Sequence, residues 1–237
     1  VCSSDLGQLI WKERDPRIDG VVNALPMATR TPLLAKFTAL MGVVLVVLLF
    51  AVLAGMITQL GHGYTRLQPM VYLTYYLVPA LLSFTFFTVL AMLVHVLVNN
   101  KYLGFFVFIL VVVLNIFAWN IADVESNLVV LNGSPGLRYS DMNGVAPFLG
   151  NWAFFRVYWM LFTAVMLLVA YFFVVRGNDT SWSWRWRIAK ERFRGAKPLT
   201  FVLLIGWLGL AAFGYYQTKV VNSYVTEDEQ EDMQVTY

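Results

Sequence analysis

Charge is scarce in this 237-residue chain: Asp, Glu, Lys and Arg make up 13% of it against 59% apolar residues, and the mean hydropathy is +0.65. So much apolar side chain cannot be hidden in one water-soluble core, and the chain reads as an integral membrane protein. Cysteine is nearly missing. Cys2 stands alone, which excludes a disulfide framework within the chain and any cysteine cluster for zinc or iron–sulfur. The two histidines, His62 and His95, are too few for a metal-dependent hydrolase or a copper or haem site, and there is no H-E-x-x-H. A G-x-x-x-x-G-K-[ST] phosphate loop is also missing, so the chain does not hydrolyse ATP by that route. The expectation is a chain that is not an enzyme and carries neither cofactor nor metal.

Five apolar runs are long enough to cross about 30 Å of hydrocarbon as helices. They extend from Leu33 to Leu60, Val71 to Val98, Tyr102 to Ala122, Trp152 to Val175 and Leu199 to Tyr216. Uniformly apolar runs of this length exclude barrel strands, which alternate between lipid and lumen. The predicted fold is therefore all-α with five transmembrane helices, and Pro79 is expected to kink the second. Basic residues set the orientation, because Lys and Arg are retained in the cytoplasm. With the N-terminus inside and the C-terminus outside, 13 of the 17 basic residues fall on the cytoplasmic side; Arg66, Arg138, Arg156 and Lys219 fall outside. No span interior contains Asp or Glu, which disfavours an ion-coupled carrier. The polar residues left there are neutral (Ser83, Thr85, Thr88, Asn115 and Thr163) and are expected to join helices by hydrogen bonds. His95, one turn from the cytoplasmic end of its span, is expected to reach the headgroups.

Between the spans lie segments of distinct composition. Trp11 to Lys36, WKERDPRIDGVVNALPMATRTPLLAK, reads as a short charged surface helix and a turn leading into the first span: Pro16 fits the first helical turn and Pro26 ends the helix. It is either a docking surface for a soluble partner or a solvated juxtamembrane loop. Asp123 to Asn151 is an outer loop, expected to be an ordered cap; Asp141 and Asn143 alone do not make a calcium site. In residues 176–198 the stretch SWSWRWRIAKERFR mixes Trp182, Trp184 and Trp186 with Arg185 and Arg187, which suits an anchor in the inner headgroup layer. Its place between two spans speaks against nucleic acid. Residues 219–237 form an acidic outer tail, a loose end or a linker. Val1 to Leu6, VCSSDL, is what a common sequencing adaptor gives when translated, so these residues are expected to be a library artefact on a truncated metagenomic reading frame.

The pattern Glu13, Arg14, then Ala24-Leu25-Pro26, then Leu34 and Lys36 resembles the cytoplasmic loop of ABC type-2 exporter permeases. Three more stretches, HVLVNNKYLG from His95, SPGLRYSDMNG from Ser134 and YYQTKVVNSY from Tyr215, are similar to bacterial proteins in which such a permease, often labelled a multicopper-enzyme maturation permease, is fused to an aminopeptidase-N-like zinc metallopeptidase. The resemblance spans Gly7 to Tyr237. It implies that residues 7–32 form a cytoplasmic coupling loop and that 33–175 correspond to the last four spans of a six-span permease. The span at 199–218 would then lead to an extracytoplasmic peptidase. Trp11, Glu13, Arg14, Asp19, Leu25, Pro26 and Lys36 would contact a separate ATP-binding subunit, and Tyr139, Ser140, Asp141, Asn143 and Gly144 would mark the outer loop. The implied partners are the lipid bilayer, the ATPase, and a second permease half or second copy, in a bacterial inner membrane. The alternative is a membrane anchor that merely tethers the peptidase. No residue supports a copper connection.

Overall fold

A computed structural model describes residues 27–65, 67–98, 100–121, 126–137, 144–175 and 181–221. It is 85% helical, with no strand among the described residues. Among the described residues five helices are long and apolar enough to cross a membrane. The chain is an all-α, multi-pass membrane protein. In chain order its helices are α1 (Arg30–Gly61), the short α2 (Pro69–Tyr72), a π-helical turn (Leu73–Leu77), α3 (Val78–Val98), α4 (Lys101–Ile121), α5 (Ala146–Phe173) and α6 (Trp182–Tyr216), which runs into a second π-helical turn (Gln217–Val221).

Local signals account for several of the boundaries. Asn100 caps α4, its side-chain oxygen accepting from the N–H groups of Tyr102 at 3.1 Å and Leu103 at 3.3 Å. Pro147 lies in the first turn of α5, where its missing N–H costs nothing, and α5 begins six residues before the apolar run at Trp152. The disturbance expected near Pro79 is realised as the π-helical turn just before it: proline cannot donate to the carbonyl four residues back, and the helix widens there. The largest departure from expectation is at α6. Its 35 residues join the Trp-rich segment to the fifth apolar run as one helix and pass through Pro198. At 1.5 Å per residue α6 is about 52 Å long, well over the hydrocarbon thickness.

Packing is centred on α3. Half of its apolar window is buried, against 6% for α4, so α3 is the middle of the bundle and α4 its rim. Phe86, Val89, Ala91 and Met92 on α3 are at most 1% exposed. Around them lies an aromatic core: Phe86 meets Trp159 edge-on at 5.5 Å, and Phe162 stacks on Trp207 of α6 at 4.9 Å. On α1 the buried residues are Leu33, Leu40, Val44, Leu48 and Val52, a single stripe at helical spacing, while Phe50 and Ile57 stay two-thirds exposed. One stripe faces protein; the rest of the surface is apolar and suits lipid.

Candidate functional site

One end of the bundle gathers most of the described cations. Leu33 and Leu40, in the first turns of α1, pack with Ala91 and Met92 of α3 and with Tyr171 and Val174 at the end of α5. The start of α1, the C-termini of α3 and α5, and the N-terminal half of α6 therefore meet, bringing Arg30, Lys36, Arg185, Arg187, Lys190, Arg192 and Arg194 to the same end. Lys101 joins them because α4 starts three residues after α3 ends. A helix C-terminus leaves up to four carbonyls without intrahelical donors and carries a partial negative charge. Two arginines of α6 supply the missing donors. Arg185, 4% exposed, donates to the carbonyls of Val96, Leu97 (3.0 Å) and Phe173 (3.4 Å). Arg192, seven residues on and so on the same face, donates through Nη1 to Tyr171 at 2.7 Å, Phe172 at 3.1 Å and Val174 at 2.6 Å. Together they fasten the ends of α3 and α5 to α6.

Aromatic rings complete this clamp. Trp182 stacks on Phe173 at 6.0 Å with Arg185 over its indole at 5.4 Å, and Trp186 meets Phe173 edge-on at 5.3 Å. Trp182, Trp184 and Trp186 still keep 54%, 38% and 47% of their surface exposed. Of the residues expected in the headgroup layer, then, the tryptophans and Arg187 lie at the surface, whereas Arg185 points inward. His95 also differs from expectation. It is 1% exposed, neither ring nitrogen has a hydrogen-bond partner among the described residues, and its ring packs edge-on against Phe105 at 4.9 Å. It does not reach the surface because α4 lies directly over it: a Cβ added at Gly104 would collide with the imidazole. The pairing of a histidine and a glycine across a very short interhelical turn is the signal that could have shown this.

The opposite end is closed by the loop 126–137. Asn115 of α4 accepts from the Leu131 N–H and from Trp119 Nε1, both at 2.9 Å. Trp159 Nε1 and the Tyr158 hydroxyl on α5 donate to the carbonyls of Asn127 and Leu128, both at 3.2 Å. Asn132 takes a left-handed conformation, φ 60°, which asparagine tolerates better than most residues. Its side-chain oxygen and that of Ser83 on α3 both accept from Arg156 Nη1 at 2.9 Å. The described part of this loop is thus an ordered cap, as expected. The neutral polar groups divide: Ser83 and Asn115 make contacts beyond their own helices, and the Thr85 hydroxyl reaches Met41 Sδ on α1 at 3.8 Å as well as the Leu81 carbonyl at 2.7 Å, whereas Thr163 bonds the carbonyl of Trp159 on its own helix. Arg156 is half-buried between α3, α5 and the loop.

Trp11, Glu13, Arg14, Asp19, Leu25 and Pro26 lie outside the described residues, as do Tyr139, Ser140, Asp141 and Asn143. Lys36 sits in the second turn of α1, partly buried. Gly144 has φ +61°, a conformation glycine adopts freely, and lies in open space. No group of three or more His, Cys, Asp or Glu side chains that could hold a metal occurs among the described residues. Set against protein-family models, curated proteins and solved structures, the chain matches none of them.

Proposed function

We propose that the chain is part of the membrane-spanning permease of an ATP-driven ABC-type exporter in a bacterial inner membrane, N-terminus in the cytoplasm and C-terminus outside. A separate ATP-binding subunit docks on residues 11–36. Glu13, Arg14 and Asp19 make polar contacts to it, Trp11, Leu25 and Pro26 seat the apolar part, and Lys36 marks where the loop enters α1. The chain itself performs no catalysis; in its parent protein the tail leads toward a zinc peptidase domain.

The observation that carries the reading is the convergence of the start of α1 with the arginine clamp. A push delivered where the coupling segment enters α1 reaches α3, α5 and α6 together, because all three are fastened at that end. The apolar spans offer no carboxylate among the described residues for ion coupling, so the driving energy has to come from a partner. The broad apolar surfaces of α1 and α4 suit lipid and a second permease half or second copy. The test is pull-down of the co-encoded ATPase by the full-length protein. Glu13→Arg with Arg14→Glu should abolish both recovery of the ATPase and transport-coupled hydrolysis while the helical circular dichroism stays unchanged; full recovery with unchanged coupled hydrolysis refutes the docking.

A further inference from the structure

Arg156 differs from Arg185 and Arg192 in meeting side-chain oxygens and not the carbonyls of a helix end. Its Nη1 is used by Ser83 and Asn132, and its guanidinium lies 5.6 Å from the Trp152 ring centroid. Each of these partners is neutral. Nε is buried without an acceptor; Nη2 has no acceptor either but is not buried, so its donors lie at the surface. No carboxylate of the described residues pairs with it. Beside Arg156 lies an open cleft of about 390 Å³ between α3 and α5, lined, besides Arg156 itself, by Leu82, Trp152, Ala153, Val157, Met160 and Leu161 and with almost no polar surface inside it. Every one of those six side chains is apolar. An arginine within a membrane-spanning helix is costly without an anion, and guanidinium offers two parallel donors that match a phosphate.

We propose that this cleft binds one anionic phospholipid, with its phosphodiester on the free donors of Arg156 and an acyl chain lying along the apolar groove. Charge complementarity selects the head, and the lining selects the chain. Through Asn132, the lipid also bears on the loop that closes this end of the bundle. The site is independent of ATPase docking, being at the far end of α3 from the arginine clamp: Ser83 and Leu97 are 14 residues, about 21 Å, apart along the helix.

The experiment is native mass spectrometry of the full chain released from bilayers of phosphatidylcholine containing a minor fraction of phosphatidylglycerol. The unmodified protein should retain one phosphatidylglycerol in preference to phosphatidylcholine. Arg156→Gln should lower that retention about tenfold or more, as expected for loss of charge-assisted hydrogen bonds, and Arg156→Lys should restore part of it. Arg156→Gln also loosens the contacts to Ser83 and Asn132. Ala153→Trp is therefore the second variant, filling the groove with the guanidinium in place, and it should abolish retention as well. Arg187→Gln, at the opposite end, should leave it unchanged. Retention of phosphatidylglycerol by Ala153→Trp, equal retention of the two lipids, or retention of a free fatty acid in place of the phospholipid would each overturn the proposal.

Discussion

Arg185 and Arg156 stand at opposite ends of the same bundle and are held in opposite ways. Arg185 is sealed from solvent against the carbonyl ends of α3 and α5, so its charge meets acceptors that a helix terminus must present in any case. Arg156 meets two neutral side-chain oxygens and lies beside an apolar cleft. The first arrangement caps two helix ends, with Nε alone left without an acceptor among the described residues, and serves as structure. The second leaves Nη2 without an acceptor as well as Nε, and it is there that the proposed phosphodiester binds.

The sharpest way to break that contrast is to remove the sealed cation. Arg185→Leu leaves the carbonyls of Val96, Leu97 and Phe173 short of a donor in a buried place, and should destabilise the fold by about 3 kcal/mol. Thermal unfolding in detergent micelles measures it, and the exposed Arg187→Gln should stay within about 0.5 kcal/mol of the unmodified protein. Next in size is the contact beneath the clamp. Gly104→Ala forces a methyl into the His95 ring and should cost about 1–3 kcal/mol; adding His95→Ala should return most of that loss, a coupling that a double-mutant cycle reads directly. The smallest effect is expected at the loop end. Asn115→Leu frees the Leu131 N–H and should cost about 1 kcal/mol, seen as faster hydrogen exchange at that amide with the unfolding temperature nearly unchanged. Should Asn115→Leu prove as damaging as Arg185→Leu, the two ends are equally structural and the contrast fails.

The apolar runs predicted the helices well where each run was bounded by polar residues. Pro69–Val98 and Lys101–Ile121 differ from the predicted Val71–Val98 and Tyr102–Ala122 by two residues or fewer at each end. The run at Leu199 was misleading because hydropathy marks where lipid begins and not where a helix begins. Trp182 to Lys197 is amphipathic and basic, so it reads as a separate segment, yet its backbone continues as helix through Pro198. Proline there removes one intrahelical hydrogen bond, and burial of Arg185, Ala189 and Thr200 on one face holds both halves in register.

Length and apolarity of the five runs were enough, from the amino-acid order alone, to require a helical membrane protein, because backbone N–H and C=O groups in hydrocarbon must bond within their own helix. The clustering of lysine and arginine in a few segments was equally plain in the order of residues. Which arginine caps a carbonyl, which faces a cleft and which histidine lies under a glycine depended on the three-dimensional packing of α3, α4, α5 and α6. Those roles are set by neighbours from 9 to 89 positions away along the chain, and no local pattern encodes them.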